Sequence, residues 1–255
     1  MRASTSLIAL AASLQTASAH YYFPHLIVNG TKTPEFKYVR DVLPANSTSD
    51  YPDPVNAYNG KEAPVYGAFD TSYVTDIRCG RSAHLAASKT LTADILAGSE
   101  VGFAIKTYID DSYNFGIFHP GPAQLWLSKS EDLSTDLGDG EWVKIGYQGP
   151  NSSTTWSTDR ATELFFDMPE STPPGTYLLR LELPFPIKDW PGHSQWYTNC
   201  AHVNIIGSGG GSPGPSVKLP EAYNVLDPGI NYEDGVDYNE GLENYKPPGP
   251  EVWSG

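Results

Sequence analysis

Seven short stretches rich in β-branched and aromatic residues, each closed by Pro, Gly, Asn, Asp or Ser, set the strongest limit on what this chain can become. They are Leu26–Val28, Val101–Ile109, Ala123–Ser128, Trp142–Tyr147, Leu164–Met168, Tyr177–Leu183 and Trp196–Ile206. Such side chains suit a pleated, half-buried surface, and the breakers between them interrupt each run before a helix of useful length can form. No segment carries a sustained helical period. The pattern predicts an all-β chain, an immunoglobulin/fibronectin-III-like β-sandwich with long, proline-rich loops.

The N-terminal residues read as an export signal. Arg2 is followed by an apolar run from Leu7 to Leu14 and then by Ala17-Ser18-Ala19, the small-x-small pattern that signal peptidase accepts. We expect residues 1–19 to be removed and the mature, secreted, extracellular chain to begin at His20. The run is too short to anchor the protein in a membrane. Residues 20–255 suit a single domain. Within it, Gly207–Ser216 has linker composition, but the residues beyond Ser216 include no cysteine and few aliphatic side chains. We therefore expect residues 207–255 to be an ordered C-terminal loop along the sandwich, with no carbohydrate-binding module.

A formal charge of −14 repels a phosphate backbone, so nucleic acid is not an expected partner. Cys79 and Cys200 are the only two cysteines. In an oxidising compartment two thiols pair, and a disulfide between them is expected. Asn29, Asn46 and Asn151 each begin an Asn-x-Ser/Thr sequon and are candidate glycosylation sites.

Three elements could carry chemistry. A histidine at a mature N-terminus offers two ligands, its α-amine and its ring nitrogen, and a Lewis-acidic metal can displace the amine proton at neutral pH. Nitrogen ligation in a roughly planar array favours Cu(II). The second element is His119-Pro120-Gly121-Pro122, where Pro120 pushes His119 into an extended conformation and the Gly-Pro pair makes a stiff turn. The third is Gln195-Trp196-Tyr197, where residues two apart in a strand point to one face and place an amide beside a phenol. His193 falls on that face if the strand extends so far. Each alone also has an ordinary reading, as a turn histidine or a half-buried tyrosine.

Together, in this order, the motifs resemble auxiliary activity family 9, the fungal copper-dependent lytic polysaccharide monooxygenases once filed as glycoside hydrolase family 61. The resemblance rests on His20 with Val28-Asn29-Gly30, Tyr38-Val39-Arg40, His119-Pro120-Gly121-Pro122 with Leu127-Ser128-Lys129, and Trp142-Val143-Lys144-Ile145. It continues through Pro174-Gly175-Thr176-Tyr177-Leu178-Leu179-Arg180-Leu181-Glu182, Gln195-Trp196-Tyr197 with Cys200-Ala201, Asp227-Pro228-Gly229-Ile230 and the stretch from Tyr245 to Trp253.

The resemblance implies one copper ion in a histidine brace: the His20 amine and ring nitrogen, the His119 ring nitrogen, and Tyr197 as axial phenol. Gln195 corresponds to the outer-sphere amide, and Cys79 and Cys200 to the family's disulfide. Tyr245 matches a C-terminal position that stacks on sugar rings. Tyr22 is a second substrate-binding candidate, with Tyr21 and the tyrosines at 66 and 73 as looser ones.

One departure stands out. An Ala-Leu-His motif normally follows the Leu-Leu-Arg-x-Glu strand, but here the chain reads Leu183-Pro184-Phe185-Pro186-Ile187-Lys188. His193 is the candidate to reach the oxygen pocket in place of that missing histidine. His25, His84 and His202 are read as structural.

The activity implied is copper-dependent oxidative cleavage of a β-linked polysaccharide surface, cellulose foremost or hemicellulose, by a monomer that takes electrons from an external donor. The alternative is a copper-binding protein on the same fold without polysaccharide-cleaving activity.

Overall fold

Proline in a strand removes a ladder donor, and Pro24 does so near the start of the first strand. β1 (Tyr21–Val28) pairs antiparallel with β4 (Glu100–Thr107), and the register shifts between Tyr22 and His25. The displaced Phe23 N–H is bonded instead to Asn199 Oδ1 at 2.9 Å. That bond ties the start of β1 to β9 (Gln195–Ile206) of the opposite sheet. These relations come from a computed structural model that describes residues 20–44, 74–107, 116–186, 194–224, 226–232 and 241–255.

The smaller sheet runs β2-β1-β4-β7, with β2 at Thr31–Lys32 and β7 at Glu163–Asp167. The larger runs β10-β6-β5-β8-β9-β3, comprising β3 (Ala93–Leu96), β5 (Ala123–Lys129), β6 (Trp142–Gln148), β8 (Gly175–Phe185) and β10 (Ser216–Val217) with β9. All pairings are antiparallel except β3 with β9. The chain is thus the all-β sandwich that its strand pattern predicts, and each of the seven stretches lies in or overlaps a strand. β2, β3, β10 and the six-residue helix α1 (Val74–Cys79) are additions. Elements so short carry too little periodicity to be read, and they form because tertiary neighbours hold them.

Phe23 and Leu26 of β1, Val101 and Phe103 of β4, Leu125 and Leu127 of β5, and Leu179, Leu181 and Leu183 of β8 fill the space between the sheets. The outer face of the larger sheet is covered as well. Trp126, Trp142, Leu178, Trp196 and Cys200 lie there under Leu219, Tyr223 and Ile230. Because both faces are covered, β5 from Ala123 to Ser128 and β8 from Tyr177 to Phe185 are buried at every residue, the polar Gln124, Arg180 and Glu182 included.

Cys79 and Cys200 form a disulfide across 121 residues, with their Cα atoms 4.9 Å apart, and it fastens α1 to β9. Beyond β10, Lys144 Nζ donates to the Pro248 carbonyl at 2.7 Å and Trp253 N–H to the Lys144 carbonyl at 2.8 Å. Among the described residues no helix is long and apolar enough to cross a membrane.

Candidate metal centre

His20 directly precedes β1, and the bond from Phe23 to Asn199 brings this end of the strand against β9. Tyr21 then joins three elements. Its ring stacks on Tyr197 with centroids 4.0 Å apart and planes 14° apart, and its hydroxyl donates to the His119 carbonyl at 2.9 Å. The strand carrying His20, the strand carrying Tyr197 and the turn carrying His119 therefore meet around one buried phenol.

The turn is anchored on its far side by Thr158, which is fully buried. Its hydroxyl donates to the Gly121 carbonyl at 2.7 Å and lies 3.2 Å from the Gly121 N–H, which donates back. Gly121 is required by close approach, since a Cβ there would lie 2.1 Å from the Pro184 carbonyl oxygen. The turn is clamped between β8 and Thr158, and His119 has little freedom of backbone.

The two imidazoles face each other, with centroids 5.1 Å apart and planes tilted by 45°. Tyr197 lies beneath, its ring 6.1 Å from that of His20. Its hydroxyl donates to Gln195 Oε1 at 2.7 Å, as the shared strand face requires. His20 and Tyr197 are each 2 % exposed, whereas Gln195 is half-buried at the rim.

Burial dominates the electrostatics. It lowers the His20 pKa to about 3, helped by the neighbouring His119 and opposed by the nearby Gln195 amide. Burial lowers His119 to about 4. Both imidazoles are therefore neutral at ordinary pH, the form in which a ring nitrogen offers its lone pair. Among the described residues no group of three His, Cys, Asp or Glu side chains converges. A metal here would rely on two histidines and on groups other than carboxylates or thiolates.

The structure brings together His20, His119, Gln195 and Tyr197. His193, Asn46 and the tyrosines at 66 and 73 lie outside the described residues. Tyr22 is half-buried on the outer side of β1, its ring parallel to Phe36 at 5.9 Å. Asn29 and Asn151 are exposed.

Tyr245 departs from its expected place as a stacking platform. It is 9 % exposed, meets Trp156 and Tyr232 edge-on at 4.8 and 5.3 Å, and donates its hydroxyl to the Gly229 carbonyl. A ring enclosed in this way has no open face for a sugar, so the structure gives it a packing role.

Two other histidines have structural partners. His202 Nε2 accepts from Arg40 Nε at 2.7 Å, and His25 Nδ1 lies 2.7 Å from the Thr33 carbonyl oxygen. Sequence reasoning missed the joining role of Tyr21, Asn199 and Thr158, and it ended β8 at Leu183. The strand runs on to Phe185, which pairs with Gln195. A polar residue at an inward position, as at Asn199, is the one local signal that could have drawn attention.

Comparison with known proteins identifies the family and supports the fold. The model of Auxiliary Activity family 9 (formerly GH61) matches residues 20–245. The chain is 44% identical to AA9 family lytic polysaccharide monooxygenase U of Thermothielavioides terrestris, covering 94% of each chain. It is 38% identical to AA9 family lytic polysaccharide monooxygenase C of Emericella nidulans, again over 94% of each. Among solved structures, CvAA9A superposes with a TM-score of 0.69 at 23% identity, covering 92% of this chain and 98% of the other, and supports the sandwich fold. The chain belongs to Auxiliary Activity family 9, the lytic polysaccharide monooxygenases, enzymes that cleave polysaccharide by oxidation.

Proposed function

We propose that the protein is a secreted, copper-dependent monooxygenase that cleaves β-linked polysaccharide, cellulose foremost, through a histidine brace. The observation that carries this reading is the pair of neutral imidazoles of the buried His20 and the half-buried His119, facing each other at 5.1 Å. The donor set fits copper: nitrogen ligands in a compact array suit Cu(II) better than oxygen-seeking ions. Cleavage before His20 would free its α-amine as a third nitrogen.

In this reading His20 would hold the metal by its amine and ring and His119 by a ring nitrogen, with the Tyr197 phenol beside them as a further donor. Copper, when bound and reduced by an external donor, supplies the one-electron chemistry that activates dioxygen or hydrogen peroxide. Gln195 accepts from the Tyr197 hydroxyl and keeps that side chain oriented beside His20. Tyr22 remains a candidate contact for the substrate, and the exposed Asn29 and Asn151 suit glycan attachment on an exported protein. Export follows from the Ala17-Ser18-Ala19 cleavage pattern, and a monomer suffices because the proposed ligands come from one chain.

The test uses protein from a secretory host with the His20 start confirmed, loaded with copper and given a reductant, hydrogen peroxide and swollen cellulose, xylan or glucomannan. Mass spectrometry should find oxidised oligosaccharides that vanish when the metal is chelated or His119 is replaced by alanine. Tight copper binding with no oxidised product from any substrate would instead support a copper-binding protein without cleavage.

A further inference from the structure

His119 has an unusual surrounding for a metal-ligating histidine. Such a residue ordinarily gives its second ring N–H to a carbonyl, a carboxylate or water, and that bond fixes the plane of the ring. Here Nδ1 of His119 is buried and has no hydrogen-bond partner among the described residues. What lies against the ring is aromatic. Phe185 approaches with its centroid at 4.7 Å and its plane tilted by 40°, and Phe118 meets the same imidazole edge-on at 5.6 Å.

The two phenyl rings are not equivalent. Phe118 is 47 % exposed, whereas Phe185 is 4 % exposed. Phe185 closes β8 and pairs directly with Gln195 of β9, as Leu183 pairs with Tyr197. Paired residues of adjacent strands project to the same face, so Phe185 stands on the side of the sheet that carries Gln195 and Tyr197. Two strands fix its backbone and the core fixes its ring. It is the more rigid of the two surfaces that His119 can rest on.

We propose that Phe185 is a positioning residue for the metal centre: its buried ring, packed on the imidazole, sets the plane in which His119 presents a nitrogen to copper. The inference rests on the reading of His20 and His119 as copper ligands. A phenyl ring has no donor or acceptor to offer a reacting oxygen species, so Phe185 acts through shape alone. Polar contact on that face falls to Gln195.

The experiment compares Phe185→Ala and Phe185→Leu with the wild type, each processed at His20. It measures Cu(II) affinity by chelator competition, the electron paramagnetic resonance spectrum at saturating copper, and thermal unfolding. Phe185→Ala should lower affinity about tenfold or more and shift the copper hyperfine splitting. Phe185→Leu, which keeps most of the buried volume but no planar face, should shift the spectrum in the same direction by less.

A residue that merely fills the core would lower the unfolding temperature and leave the spectrum in place. Wild-type affinity and spectra in both variants therefore overturn the proposal. If the alanine variant does not fold, the leucine variant decides alone, an unshifted spectrum refuting the proposal and a shifted one supporting it. A wild-type protein that binds no copper refutes the functional reading itself and is recognised before any variant is made.

Discussion

The Tyr197 hydroxyl donates to Gln195 Oε1 at 2.7 Å, so this phenol and amide form one unit on a single face of β9. The same amide neighbours His20 and opposes the fall in its pKa. Replacing Gln195 with alanine removes the acceptor of Tyr197 and the polar neighbour of His20 from a half-buried position and leaves the core intact. The rate of oxidised-product release should fall about tenfold to a hundredfold, with little change in thermal unfolding. Gln195→Glu, which keeps the shape and the acceptor, should lose less.

Gly121 offers a test of how the turn sets His119. A Cβ at this position would meet the Pro184 carbonyl oxygen at 2.1 Å, and backbone cannot give way as a side chain can. Gly121→Ala should cost about 2 kcal/mol or more, a fall of roughly 4–8 °C in a domain of this size. Copper affinity should fall with it, because β8 and the turn must part and carry His119 away from His20. Calorimetry and chelator competition on the same preparation check both.

Lys144 is 1 % exposed on the outer face of the larger sheet, lies over the Trp126 ring and donates to the Pro248 carbonyl. Burial lowers its pKa from 10.5 to about 8, against the pull of Glu182 and Glu251. Below pH 8 the lysine is charged in both folded and unfolded chains, and the cost of burying the charge is fully felt. Between the two pKa values the unfolded chain binds more protons than the folded one, so this group's contribution to stability rises with pH. Relative to Lys144→Met, the wild type should gain on the order of 2–3 kcal/mol between pH 7 and pH 10.5. Denaturant melts of both proteins at the two pH values measure the double difference.

The Cys79–Cys200 disulfide closes 121 residues and holds α1 against β9. Replacing both cysteines with alanine should cost about 3–5 kcal/mol, lowering the unfolding temperature by roughly 10 °C. A reductant should lower the wild type in the same way and leave the double variant unchanged.

Much of this was written in local pattern. Alternation and β-branched runs marked the seven main strands, Pro120 and Pro122 marked the stiff turn at His119, and the spacing of Gln195 and Tyr197 put them on one face. Each follows from backbone stereochemistry over a few residues, which the chain carries wherever it lies.

What only the tertiary structure decided are relations between distant residues. Tyr21 bridges His119 and Tyr197, the register shift in β1 leaves the Phe23 N–H to Asn199, Phe185 packs on His119, and Tyr245 packs against Trp156 and Tyr232. The resemblance to a known family named His20, His119 and Tyr197, but not what holds them. That depends on which strands pair and how far they run, and on which faces the loops cover. Those choices are settled by burial of the whole core, so no short stretch of sequence records them.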